Sequence, residues 1–438
     1  MNLSLVNKVA KSINDKPTKE YYLIIFTGII LLIAGAWAAF ETVYSGIGAW
    51  GVTSGISWGT GIVHFVWWVG IAHAGTFISA VLYMLHQPWR NSINRIAESM
   101  TLVAILCAAV YPVIHLGRAY LAFWIFPYEN TRDLAINFNS PLIWDFFAIG
   151  SYLIVSLTFW FFGLLPDLAL LKNNLKNPWL KRIYQRLSWR WTGEKQQWKD
   201  YMFIYRIIAS LATALVVSVH SIVSMDFAVS NVHGWHNTLF PPFFVVGAVF
   251  SGFAMLQLIL RLVRHLYSMK REITLHQLEN INKIVLVTSL IMTFCYASEV
   301  FTALHCGIEH EQELMMGRIQ GHQSSTFYTM LFFNSLFPLL FFFKKIRQST
   351  LFSILISVGV CVGMWFERWL IVVSSLQHTA FGSAGIEYKI TPVEILLFAG
   401  TLGFFIVVLL IITKLFPAIS VHEILHESQQ KKQAHDNT

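Results

Sequence analysis

Charge is what this chain has least of. Asp, Glu, Lys and Arg make up 12% of its 438 residues, against roughly 25% in a soluble domain, and that scarcity excludes a soluble fold. Cysteine is rare too. Cys107, Cys295, Cys306 and Cys361 are scattered over apolar stretches or their ends with no C-x-x-C pair. Neither an iron–sulfur cluster nor a zinc site is built from such cysteines alone, and each reads as a small core packer. A cleavable leader is not expected: the first 20 residues are polar, and the apolar run after them is too long for a signal h-region.

Apolar residues are abundant, at 55%. They gather in ten runs, near 21–44, 57–86, 95–117, 141–165, 203–228, 240–263, 283–304, 325–343, 351–375 and 392–416, each close to or above the roughly 20 residues that cross a hydrocarbon core. The expected fold class is an all-α integral membrane protein of about ten transmembrane helices. A formal charge of +8 could suggest nucleic acid, but the basic residues concentrate in the N-terminal tail, four alternate loops and the C-terminal tail. The opposite loops hold only Arg118, Arg132, Arg318 and Lys389. This positive-inside pattern makes both termini cytoplasmic and excludes a nucleic-acid role for the charge.

The longest basic segment, 166–201, carries the run WLKRIYQRLSWRW. Trp and Arg at this spacing fit a helix lying in the interface with its cations toward anionic lipid, and a cytoplasmic partner is the alternative. This segment divides the interior runs into two sets of four. The expected organisation is therefore a tail (1–20), a flanking helix and outer loop (21–56), a four-helix bundle (57–228), a second four-helix bundle (229–375), an outer loop and last helix (376–416), and a cytoplasmic tail (417–438). Both bundles open on a small-residue helix, GIVHFVWWVGIAHAG against FVVGAVFSGFAM, and continue into an Asn-containing start, NSINRIAES against LENINKIVL. Gly and Ser at packing positions suit a duplication and also occur in unrelated membrane helices.

Once the runs are threaded, His115, Asp145, Asp226, Glu299, Glu367 and Arg368 all fall in the half of the membrane away from the cytoplasm. A charge in a bilayer costs several kcal/mol unless paired or solvated, so this shared depth implies a polar cavity. YPVIHLGR ends one outward run and SPLIWDFF opens the next. Asp145 then lies about 6 Å inside its helix, and His115 at the outer end of the preceding one can face the same pocket. An imidazole near pKa 6.5 can exchange hydrogen bonds with a ligand oxygen while a carboxylate takes up the proton. Asp226, in SVHSIVSMDFA, is a second acid at that face. His220 and His73 lie deeper and offer a proton relay, although a buried histidine also serves simply to bond a neighbouring helix. His233 and His236 read as ordinary surface residues. Glu367 and Arg368 are adjacent and point about 100° apart, so they are expected to find other partners, Arg368 pairing with Asp226 or Asp145. Glu367 and Glu299 then join the possible proton route.

Taken together, HFVWWVGIAHAGTFISAVLY, HLGR, FNSPLIWDFFAIGSY, SVHSIVSMDFA, GWHNTLFPPFFVVGAVFSGFAM and GMWFERW resemble the polysulfide-reductase-type (NrfD-like) quinone-interacting membrane subunits. Within them the likeness runs to the quinol-oxidising C subunit of bacterial alternative complex III, over roughly residues 55 to 375. The resemblance implies a bacterial inner-membrane subunit with no haem, flavin or metal of its own. It would bind menaquinol or ubiquinol toward the periplasm through His115, Asp145, Asp226 and Arg368. It would pass electrons to an extrinsic periplasmic iron–sulfur subunit beside a homologous second membrane subunit, a multihaem cytochrome c subunit and a terminal oxidase. Other readings are the membrane anchor of a molybdopterin-type quinone-linked reductase and a proton-coupled secondary transporter. A di-haem cytochrome b anchor needs axial histidines paired at haem depth, and only His73 and His220 are deep.

Overall fold

The computed structural model describes residues 3–125, 141–378 and 387–436; Arg132, expected in an outer loop, falls outside them. All regular structure among the described residues is helical, and ten helices are long and apolar enough to cross a membrane. They are α1 (Lys19–Ser45), α2 (Thr60–Met84), α3 (Asn94–His115), α4 (Pro141–Leu171), α5 (Lys195–Ala228), α6 (Phe240–Leu266), α7 (Leu275–His305), α8 (Ser324–Phe342), α9 (Thr350–Gln377) and α10 (Pro392–Leu415). The chemistry of their ends explains the starts. Thr18 caps α1, and Thr274 with Gln277 and Thr391 with Glu394 form capping boxes at α7 and α10. At the basic face α5 and α7 run further than their apolar runs, because polar residues that no longer need lipid still continue a helix.

Packing closes α2–α5 into one ring of four and α6–α9 into another, joined where α2 meets α6 and α9 and where α5 meets α6. α2 is buried along nearly its whole length, as an all-round apolar helix should be. It crosses α6 closely: a Cβ on Gly252 would overlap the Ala74 Cβ at 1.7 Å. α1 buries only Tyr21, Gly28, Gly35, Ala38 and Thr42, a stripe laid against α10. There a Cβ on Gly35 would come within 2.3 Å of the Gly400 Cα, the close approach that glycine permits between membrane helices.

Short helices at the basic face include Leu3–Asn14, Pro178–Leu187 and Val421–Asp436. Pro178–Leu187 buries Leu180 and Tyr184 and exposes Trp179, the arrangement of an interfacial helix. The C-terminal segment is a docked helix as well as a tail. Glu423 accepts from Arg90 at 2.8 and 2.9 Å and from Asn94 at 3.0 Å, while Asp167 caps the helix through the His422 amide at 2.8 Å. Arg90 and Arg95 are fully buried, and Arg95 pairs with Glu98 at 3.1 Å and Asp167 at 3.4 Å.

Two membrane helices contain a π-turn. In α8 it covers Phe332–Leu336 and in α9 Leu370–Ser374. Such turns weaken the i→i+4 ladder and leave carbonyls open to side-chain donors.

Candidate functional site

Asp145 stands on the first turns of α4 and Asp226 near the end of α5, and the packing of these helices brings the two buried carboxyls together at the face opposite the basic one. Neither oxygen of Asp145 nor Oδ1 of Asp226 meets a donor. Two carboxylates in contact repel, and a single proton between them turns the repulsion into a hydrogen bond. The pair can therefore present both an acceptor and a donor to a ligand.

Arg368 is buried and makes no hydrogen bond among the described residues. Its guanidinium lies over the Phe244 ring, 4.2 Å from the centroid, and Phe244 packs on Phe227, next in sequence to Asp226, at 5.6 Å. Its carboxylate partner is its neighbour Glu367, with Nη1 3.0 Å from Oε1. This corrects two expectations: adjacent residues do neutralise one another here, and Arg368 pairs with neither Asp145 nor Asp226. Both side chains are long enough to reach across the angle between them. The contact is an ion pair without hydrogen-bond geometry, since both atoms remain without a hydrogen-bond partner, so the fork stays available. Glu367 Oε2 accepts from the Tyr296 hydroxyl, which in turn accepts from Asn334 Nδ2 at 2.8 Å.

Deeper between α2 and α5, His220 Nδ1 meets His73 Nδ1 at 3.1 Å, and His73 Nδ1 also lies 2.7 Å from the Val69 carbonyl. The Tyr152 ring stacks on His73 at 4.5 Å. The Nε2 atoms of both histidines are buried without partners, and the Arg368 charge bears on His220.

His115 is half-buried at the end of α3, with Trp50 at 5.8 Å and Nδ1 unpartnered. No hydrogen bond or ion pair joins it to Asp145 among the described residues. The helix end places its ring beside Trp50. Glu299 pairs with Arg318 at 2.9 Å. Arg318 is buried on a helix, Glu309–Gln320, in what read as a plain outer loop. Beside this pair lies a cavity of about 430 Å³ walled in part by Glu311, His233 and His236, roomy enough for several waters.

Sequence reasoning missed Tyr296, Asn334, Arg318, Tyr152 and the buried His64. The His64 ring stacks on Phe398 at 4.2 Å, and its Nδ1 and the nearby Trp365 Nε1 both lack partners. Tyr296 stands one turn from Glu299, a spacing that hinted at it; an outer-loop arginine gave no such hint. Among the described residues no group of three His, Cys, Asp or Glu is arranged to hold a metal ion. Buried polar atoms are normally satisfied, and Asp145, Asp226, Glu367, Arg368, His73 and His220 each keep at least one such atom without a hydrogen-bond partner. Such a set of groups suits a small ligand with oxygen atoms that both donate and accept.

A family model described as polysulphide reductase, NrfD, matches residues 50–380. A putative dimethyl sulfoxide reductase membrane subunit from Halobacterium salinarum is 25% identical over 232 residues, which cover 52% of this chain and 48% of that protein. The matched stretch thus spans about half the length of that curated relative.

Proposed function

The chain belongs to the NrfD family of polysulphide reductase membrane subunits, and from that we propose that it binds a quinol, menaquinol or ubiquinol, and oxidises it within a respiratory complex. Oxidation of a quinol to the quinone releases two protons and two electrons. The protons need acceptors at the ligand oxygens and the electrons need a partner, for which we propose an extrinsic iron–sulfur subunit. The observation that carries this reading is the facing, buried Asp145 and Asp226 carboxyls, with both oxygens of Asp145 and Oδ1 of Asp226 lacking a donor, together with the hydrogen-bond-free Arg368. The carboxyls take a hydroxyl proton, and the guanidinium polarises or holds the oxygen left behind. His115, at the same face with a free Nδ1, is the proposed partner of a second ligand oxygen.

The positive-inside pattern supports a basic face in the cytoplasm of a bacterial inner membrane and a site toward the periplasm. His73, His220, Glu299 and Glu367 are the proposed proton route: the first two lie below the carboxyls, and Glu299 lines the outer polar cavity. A homologous second membrane subunit, a multihaem cytochrome c subunit and a terminal oxidase are the proposed further partners. The likeness to a dimethyl sulfoxide reductase membrane subunit favours a second reading, the anchor of a molybdopterin-type reductase, in which the same quinol site feeds a different acceptor.

Purified complex carrying Asp145→Asn tests the site. We expect assembly at the wild-type level and quinol oxidation slower by roughly 10²-fold or more, the usual loss of an acid–base group. Wild-type turnover in that variant would remove Asp145 from the chemistry.

A further inference from the structure

The π-turn of α9 begins two residues after Arg368, and its opened carbonyls are held from outside the helix. Arg318 Nη2 donates to the Leu370 carbonyl at 2.8 Å and to Ser375 Oγ at 3.0 Å, and its Nε donates to Ser374 Oγ at 3.1 Å. Trp235 Nε1 donates to the Ile371 carbonyl at 2.5 Å. The Trp235 ring is wedged between Trp58 and Phe227, at 5.3 and 5.0 Å, and Phe227 adjoins Asp226. With Glu299 on Nη1, every nitrogen of the buried Arg318 fork is engaged.

The π-turn of α8 serves the same pair from the other side. It presents Asn334 to Tyr296, the hydroxyl that bonds Glu367, and its own Asn334 carbonyl is capped by Ser289 Oγ at 2.6 Å. Asn334 Nδ2 also rests 3.5 Å from Met364 Sδ, one turn before Arg368. Glu367 and Arg368 are therefore bracketed by two widened turns whose carbonyls are capped by side chains of neighbouring segments. A π-turn holds an extra residue in one turn and so rotates the stretch of helix before it against the stretch after it. With 370–375 clamped by Arg318 and Trp235, the rotation of the 367–368 pair is fixed.

We infer that Arg318 and Trp235 are positioning residues that set the aim of the Arg368 guanidinium at the ligand site. This rests on the quinol reading above. Arg318 matters here for its planar fork as well as its charge: a lysine can keep the Glu299 contact but cannot span Leu370, Ser374 and Ser375 together.

The test uses the whole complex in native membranes, with quinol KM and kcat measured for Arg318→Met, Arg318→Lys and Trp235→Phe. Each change is made both in the wild type and in a Glu367→Gln, Arg368→Met background. We expect Arg318→Met and Arg318→Lys to lower kcat/KM by about 10²-fold, the size of effect an ångström of misplacement produces. KM should carry most of that loss, and Trp235→Phe should act in the same direction by less. In the background lacking Arg368, none of the three should cost anything more. Losses that add in full to those of the background, or wild-type KM for Arg318→Lys, overturn the inference. If Arg318→Met fails to assemble, Trp235→Phe decides by the same additivity rule. If the Glu367→Gln, Arg368→Met background itself oxidises quinol normally, Arg368 has no part in the ligand site and the inference fails; a wild-type complex that oxidises no quinol is the separate failure of the quinol reading.

Discussion

The Nδ1 atoms of His73 and His220 lie 3.1 Å apart, and the Val69 carbonyl lies 2.7 Å from the first of them. A carbonyl only accepts, so the hydrogen belongs on His73 Nδ1, shared between Val69 and His220. His73 Nε2 is then a bare acceptor and His220 Nε2 a donor, and the pair can pass a proton only by exchanging tautomers. His220→Gln retains an amide but loses this exchange. Its expected phenotype is slower proton release at unchanged quinol KM, read with a pH-sensitive dye during a single turnover; release at the wild-type rate would take the two histidines off the route.

Removing Arg368 alone leaves Glu367 as a buried, uncompensated charge, a defect worth about 3–5 kcal/mol. Arg368→Met should therefore lower the yield of assembled complex, and Glu367→Gln in the same chain should restore it. Quinol turnover should stay low in the double variant. Recovery of turnover along with yield would reduce Arg368 to a counter-ion.

The docked C-terminal helix gives a pH dependence outside the bilayer. Burial would raise the Glu423 carboxyl, but Arg90, His422 and Arg95 hold it down at about 2, against an ordinary 4.5. A depressed acid stabilises docking above its ordinary pKa and loses that contribution as pH falls toward the depressed value. Protease resistance of the tail should thus be constant above about pH 5 and decline between about 4.5 and 2. Glu423→Ala should make the tail sensitive at neutral pH, and undocking already at pH 6 in the wild type would contradict the assignment.

Orientation has its own check. Single cysteines at 172–195 should resist a membrane-impermeant reagent applied outside intact cells, and those at 231–237 should react. The reverse pattern would put the carboxyl pair at the cytoplasmic face.

The ten spans were legible because apolar length alone decides what crosses a bilayer, and the one-sided depth of Asp145, Asp226, Glu367 and Arg368 came from counting residues along them. Partnership was not legible. That Glu367 serves Arg368, or that Tyr296 and Asn334 serve Glu367, depends on helix rotation, and two π-turns change that rotation, only the one in α8 being followed by a proline, Pro338. Arg318 was hidden for a related reason: a cation between two apolar runs reads as solvated until a helix such as Glu309–Gln320 folds it inward. The tail from Val421 looked like a plain charged end because its partners, Arg90 and Asn94, lie more than 300 residues away in sequence.

α1 touches the rest of the membrane domain chiefly through α10, and Lys414 at the foot of α10 donates to the carbonyls of Ser12 and Asp15 just before α1, both at 2.6 Å. α1 leaves the ribosome long before α10 and must wait for it. Until α10 is inserted, Gly28 and Gly35 face lipid with nothing to grip, and no product of translation that stops short of α10 can complete the fold. Closing so long a loop carries a chain-entropy cost that contacts between neighbouring helices do not, and α10 is the last span to emerge, so the α1–α10 seam is the last contact between spans that chain order allows.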